Sequence, residues 1–151
     1  MNKPNPFIIK ALEQAKIAFN LGEVPVGAIV VCNNKIIASA HNQNISLNDP
    51  TAHAEILALR QACKILKNHR LDECDLYVSL EPCTMCAGAI SHARIRRIYY
   101  SASDPKSGGV ENGAKVFSHP QCHHKPEIYG QIGAKDSEDL LKEFFSAKRN
   151  P

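Results

Sequence analysis

The chain lacks any apolar run approaching the roughly 20 residues that a bilayer-spanning helix needs. Its opening residues, Met1-Asn2-Lys3-Pro4-Asn5-Pro6, are polar and form no apolar signal segment. These two absences predict a soluble, cytoplasmic protein with no membrane attachment. A large charge of one sign is also missing: the net charge is +3 at pH 7, too small by itself to announce a nucleic-acid binder. There is no internal repeat, no interdomain linker and no bias toward disorder. The composition, 44% hydrophobic and 22% charged with 8 Gly and 9 Pro, lies near the globular average. At 151 residues the expectation is one domain, spanning 1–151, with a single ordinary core.

The charge that is present is unevenly placed. Residues 91–130 carry six bases (Arg94, Arg96, Arg97, Lys106, Lys115, Lys125) against three acids, and four of the seven histidines; the rest of the chain is balanced. A site for a polyanion is expected there, although an ordinary solvated surface has the same composition. Arg94, Arg96 and Arg97 either meet phosphate, flank a strand or serve a dimer contact. The six cysteines are not read as a disulfide framework, because a reducing compartment is expected. Cys32, Cys63 and Cys74 sit in apolar contexts as small core residues. Cys83 and Cys86 alone have chemical spacing.

Hydrophobic periodicity supplies the elements. Phe7, Ala11, Ala15 and Ala18 recur at helical spacing with Gly22 beyond them, predicting a helix over 6–21. Val26–Val31 and Lys35–Ala40 around Asn33-Asn34 form a hairpin. Asp49-Pro50-Thr51 precedes a second helix over about 53–67, with Thr51 as a candidate cap. Leu76–Leu80 is a third strand, Pro82 opens a third helix through Ala93, and Arg97–Ala102 is a fourth strand. Residues 103–126 are rich in Gly, Pro and His and have no periodicity, which marks a functional or mobile loop. Glu127–Ile132 adds a short fifth strand, and Asp136–Lys148 is a closing helix with acids early and bases late. Strands alternating with helices predict a three-layer α/β/α sandwich with a mixed, mostly five-stranded sheet.

Two short segments carry chemistry: His53-Ala54-Glu55 at the start of the second helix, and Pro82-Cys83-Thr84-Met85-Cys86 at the start of the third. Cysteines three apart on a helix share a face, and a helix N-terminus stabilises thiolate charge. Crossover helices can begin at the same sheet edge, which would bring His53 beside Cys83 and Cys86. Three ligands leave a metal position open, as in catalytic zinc sites; a structural site would be closed by a fourth residue such as Cys122 or His41. Residues two apart face opposite sides of a helix, so His53 and Glu55 share one cavity only if His53 lies at the helix edge in non-helical geometry. A thioredoxin-like use of the two cysteines leaves His53 and Glu55 without work.

His-x-Glu followed by Pro-Cys-x-x-Cys is the signature of zinc nucleobase deaminases. The chain resembles the bacterial tRNA adenosine deaminases, of the cytidine-deaminase-like superfamily, over nearly its whole length. The resemblance is carried by Glu23-Val24-Pro25-Val26-Gly27-Ala28, Asn42, Asp49 through Glu55, Leu59-Arg60-Gln61, Leu76-Tyr77-Val78, Leu80 through Cys83, Met85 through Ala89, Phe144-Phe145 and Lys148-Arg149. It implies conversion of the wobble adenosine of an arginine tRNA anticodon to inosine by a homodimer. His53, Cys83 and Cys86 would hold one zinc per subunit; a hydroxide on the zinc would attack C6, with Glu55 as proton shuttle. Asn42 would hydrogen-bond the flipped nucleoside, Asp104 and Lys106 would meet the neighbouring ribose and phosphates, and Phe145 and Arg149 would pack against the anticodon loop. Plain core packing of Phe144 and Phe145 is the alternative. DNA is not an expected partner. The chain departs from the family at His123, a candidate substrate contact where Asn is frequent, and at Ser107-Gly108-Gly109, where Thr-Gly is usual. The His119–His124 tract could also be read as a second metal site, but a surface loop is the preferred reading. Two alternatives stay open: a deaminase of free bases or nucleosides, and a zinc-stabilised RNA-binding module without catalysis.

Overall fold

The computed structural model describes residues 5–149, with side chains through Ala147. Helix α1 (Pro6–Asn20) starts where the Asn5 side chain accepts from the Phe7 and Ile8 N–H groups, with Pro6 in the first turn, where its missing N–H costs nothing. Its buried stripe of Ile8, Ala11, Ala15 and Ala18 is small enough for strand β1 to come very close. A side chain at Gly27 would meet the Ala11 carbonyl oxygen at 2.0 Å, so only glycine permits this approach. Strands β1 (Gly27–Cys32) and β2 (Lys35–His41) form the expected hairpin. Its two turn residues, Asn33 and Asn34, both have positive φ (51° and 61°), the backbone that a twisted hairpin demands and asparagine tolerates.

Helix α2 (Ala54–Leu66), strand β3 (Cys74–Leu80), helix α3 (Thr84–Ala93) and strand β4 (Arg97–Ala102) follow, then strand β5 (Glu127–Tyr129) and helix α4 (Ala134–Arg149). The sheet order is β2-β1-β3-β4-β5, with β1 antiparallel to both neighbours and β3, β4 and β5 parallel. Helices α1 and α4 cover one face. On the other face α2 and α3 pack Ala58, Ala62, Ala87 and Ile90 against Leu76, Val78, Ile98 and Tyr100. This is the three-layer α/β/α arrangement with a mixed five-stranded sheet that the pattern predicts. Among the described residues no helix is long and apolar enough to cross a membrane.

Several boundaries move for identifiable reasons. Thr51 does not cap α2: its N–H and hydroxyl both bind the Asp49 carboxylate, and His53 takes the cap position. Pro82 lies before α3 rather than in it, because Cys83 is the extended cap residue. Strand β5 stops at Tyr129, three residues short of the predicted end. The 103–126 segment is not featureless: it holds a 3₁₀ turn at Val116–Ser118 and is pinned by the buried Glu81 carboxylate.

Candidate active site

Parallel β3 delivers Cys83 to the C-terminal edge of the sheet, and the hairpin strand β2 delivers the segment leading to His53 to the same edge. His53 caps α2 with extended backbone (φ −72°, ψ 151°), the non-helical geometry required for it to share a cavity with Glu55. Cys83 caps α3 in the same way (φ −73°, ψ 175°), and Cys86 follows in the first turn. His53 Nδ1 lies 3.6 Å from Cys83 Sγ and 3.4 Å from Cys86 Sγ. Tetrahedral zinc, with Zn–N near 2.0–2.1 Å and Zn–S near 2.3 Å, separates its N and S donors by roughly 3.5 Å. The donor set therefore fits that ion. No fourth His, Cys, Asp or Glu among the described residues joins the group, so neither Cys122 nor His41 closes it. Cys122 bonds Ser91 and the His124 carbonyl instead, and His41 Nδ1 pairs with the Asn42 carbonyl.

The electrostatics of the three donors are coupled through Cys83. The Cys86 thiol, and against burial the His53 ring, hold Cys83 down to about 4, so it is a thiolate at neutral pH. That neighbouring charge, together with burial, pushes Cys86 up. His53 is raised by its bond to Cys83, against desolvation. Glu55 is 3% exposed, and its Oε1 has no hydrogen-bond partner among the described residues. Burial pushes its carboxyl up to about 7, with the Cys83 charge adding and His53 opposing. A buried carboxyl with one unpartnered oxygen, beside an imidazole and two thiols, is a costly arrangement for stability and a useful one for moving protons.

Asn42 is buried, and its Oδ1 accepts from the Ala54 N–H at 2.7 Å. This bond satisfies a free donor of the α2 start and leaves the amide Nδ2 without a protein acceptor among the described residues. Asp104 accepts from the Lys106 and Ser107 N–H groups, forming a tight turn with Lys106 exposed. His123 is exposed on its loop; His119 and His124 each bond a backbone carbonyl, and the tract forms no metal cluster. The Phe pair divides. Phe144 is buried edge-on to Phe19, whereas Phe145 is 44% exposed. Phe145 lines a groove of about 450 Å³ with Phe144, Gly22, Glu23, Val24, Asn44 and Ile45. The side chain of Arg149 lies outside the described residues. Arg96 and Arg97 sit at the opposite sheet edge, paired with Asp75 and Glu127, so they flank strands far from this constellation.

Two buried carboxylates, Glu23 and Glu81, lie in segments that carry the resemblance, but the sequence reading gives them no role. Glu23 accepts from the Ile45 and Ser46 N–H groups, shaping the loop after β2. Burial opposes its charge, but these bonds prevail and hold its pKa below the ordinary value. Glu81, at the end of β3, accepts six hydrogen bonds from residues 103–112. The available signal is an acid at the end of an otherwise apolar strand, followed downstream by a Gly- and Asn-rich stretch with spare N–H donors.

Residues 2–149 match the family model described as MafB19-like deaminase, which sets the class of the protein. Within that class, the chain is 51% identical over 143 residues to the tRNA-specific adenosine deaminase of Agrobacterium fabrum strain C58, covering 95% of this chain and 94% of that one. A solved structure from studies of A-to-I editing by tRNA:A34 deaminases at the wobble position of transfer RNA superposes with a TM-score of 0.88 at 51% identity, covering 89% of this chain and 98% of the other. A guanine deaminase structure from Bacillus subtilis is 36% identical with a TM-score of 0.67, covering 100% and 96%. The chain belongs to the tRNA-specific adenosine deaminase family.

Proposed function

We propose that this chain, acting as one deaminase domain over 1–151, converts adenosine to inosine at the wobble position of a tRNA anticodon, that of an arginine tRNA by the family resemblance. The observation that carries this reading is the buried Glu55, with an unpartnered oxygen, beside the His53, Cys83 and Cys86 donors. Those three residues would hold one zinc ion. When bound, zinc supplies Lewis acidity that brings the pKa of water toward neutrality. Glu55, with its carboxyl near 7, takes a proton from water, hands it to the purine ring nitrogen next to C6, and then helps protonate the departing amine. Water and adenosine thereby yield inosine and ammonia. Asn42 orients the nucleoside through Nδ2, and its Oδ1 bond to Ala54 keeps the α2 start rigid. Asp104, Lys106, His123, Phe145 and Arg149 meet the surrounding RNA, which must be splayed out for a base to enter. A homodimer in the cytoplasm is the working assembly.

A second reading, deamination of a free base, is favoured by the likeness to the guanine deaminase structure. The exposed Phe145 and Lys106 favour the RNA. The zinc-loaded protein should be incubated with an anticodon stem-loop carrying adenosine at its first anticodon position, and separately with free adenine, guanine, adenosine and cytidine. Inosine and ammonia should appear with the stem-loop alone. Turnover of guanine with an inert stem-loop would replace the reading by the second.

A further inference from the structure

We propose that Glu81 is a positioning residue for the RNA substrate, acting by docking a strap over 103–112, with Asp104 and Lys106 on it, against the backbone of Cys83. The proposal rests on the RNA reading above and assigns a device that sets substrate engagement.

Three observations converge. First, Glu81 is 2% exposed and gathers the strap at both ends. Its Oε1 accepts from the Asp104 N–H at 3.1 Å, the Ser103 hydroxyl at 3.4 Å and Asn112 Nδ2 at 2.6 Å. Its Oε2 accepts from the Val110, Glu111 and Asn112 N–H groups at 3.1, 2.9 and 3.0 Å. Second, the strap is fastened to the ligand segment itself. Gly108 forms a β-bridge with Cys83, and the Gly109 N–H donates to the Pro82 carbonyl at 2.8 Å. A side chain at Gly109 would lie 2.5 Å from Thr84 N and 2.8 Å from the Cys83 carbonyl carbon, so the two backbones touch in a way only glycine allows. Third, the turn between these anchors is closed on itself. Asp104 Oδ1 accepts from the Lys106 and Ser107 N–H groups, and the Asp104 carbonyl accepts from the Gly108 N–H at 2.9 Å. Lys106 is exposed and makes no ion pair among the described residues.

An apolar side chain at the end of β3 would fill the same space without desolvating a charge. What a carboxylate adds is the capture of backbone donors from a segment 22 to 31 residues away. A strap held in this way presents the Lys106 cation at a fixed place beside the metal-ligand helix. A lysine held there suits contact with a phosphate near the target nucleotide, a contact that positions rather than reacts. Glu81 thus sets how well the RNA is held and leaves the proton chemistry to Glu55.

The test uses the zinc-loaded full chain and the synthetic stem-loop, with inosine formation, zinc content and thermal melting measured together. Glu81→Gln keeps the shape but presents a donor amide to six donors. Gly109→Ala breaks the same fastening from the strap side, and it serves if Glu81→Gln does not fold. Each is expected to raise KM by about fivefold to tenfold with kcat within about twofold, the size expected for losing a phosphate-class contact, and the effect should shrink as salt rises. Zinc per chain should not change in Glu81→Gln. In a Lys106→Ala background, which itself raises KM, Glu81→Gln should add less than it does alone, because both act through one contact. A lowered melting temperature with unchanged KM in both variants, fully additive effects with Lys106→Ala, or zinc loss from Glu81→Gln would each overturn the proposal. If the unsubstituted protein fails to turn over the stem-loop, the RNA reading and this inference fall together. Normal turnover with unmoved KM in the variants removes this inference alone.

Discussion

Glu55 and Glu81 are both almost fully buried, one in the first turn of α2 and the other at the end of β3, yet they are treated in opposite ways. Glu81 spends both oxygens on six donors, and these outweigh burial to hold its pKa below the ordinary carboxylate value. Glu55 keeps one oxygen unpartnered, and burial lifts its carboxyl to about 7. A charge that is satisfied organises structure, whereas a buried acid left unsatisfied is destabilising and is kept where protons must move. On the proposed function the two groups separate the framework of the site from its chemistry, and substitutions should separate them too.

The largest effect is expected at Glu55. Glu55→Gln should lower kcat by about 10²–10⁴-fold, the range for a general acid–base, while bound zinc stays and the melting temperature holds or rises. Turnover within tenfold of the parent would remove its assigned role. Cys86→Ala should lose zinc along with activity, as measured by metal content after dialysis; a full zinc complement would break the ligand assignment. Glu81→Gln should show the reverse of Glu55→Gln, losing about 2–3 kcal/mol of stability in urea unfolding because buried donors to a charge are stranded. A stability equal to the parent would erase the contrast between the two glutamates.

Glu23 offers a gentler version. Its folded pKa lies below the ordinary value of 4.5, so its contribution is present above that value and is lost as pH falls through the folded pKa. The stability gap between the parent and Glu23→Gln should thus be full near neutrality and close in acid; a gap that widens in acid would contradict the assigned bonds. Smallest of all, Arg96→Ala removes a half-exposed partner of Asp75 at the far sheet edge. It should cost about 1 kcal/mol or less and leave KM for RNA unmoved.

The layer order and most element bounds are legible in the sequence, because alanine spacing in α1, the Asn33-Asn34 turn and the β-branched runs are local signals. The meeting of His53, Glu55, Cys83 and Cys86 is also legible, since crossover topology puts the starts of α2 and α3 at one edge, and spacing alone requires His53 to sit outside the helix. The Thr51 cap is missed because Asp49 competes for both of its donors at short range. The order within 103–126 is missed for a different reason. Its fixed shape depends on Glu81, which lies more than twenty residues earlier, and no periodicity records a carboxylate that collects backbone N–H groups. The burial of Phe144 and the exposure of Phe145 follow from where α4 docks against Phe19, which helical spacing alone leaves undecided.

The most direct test of an open metal position beside an acid with an unpartnered oxygen is X-ray absorption at the zinc edge of the loaded protein. Two sulfur donors, one imidazole nitrogen and one light oxygen donor that an inhibitor displaces are expected. A third sulfur or a second imidazole, filling the coordination sphere with protein atoms, would contradict a catalytic site.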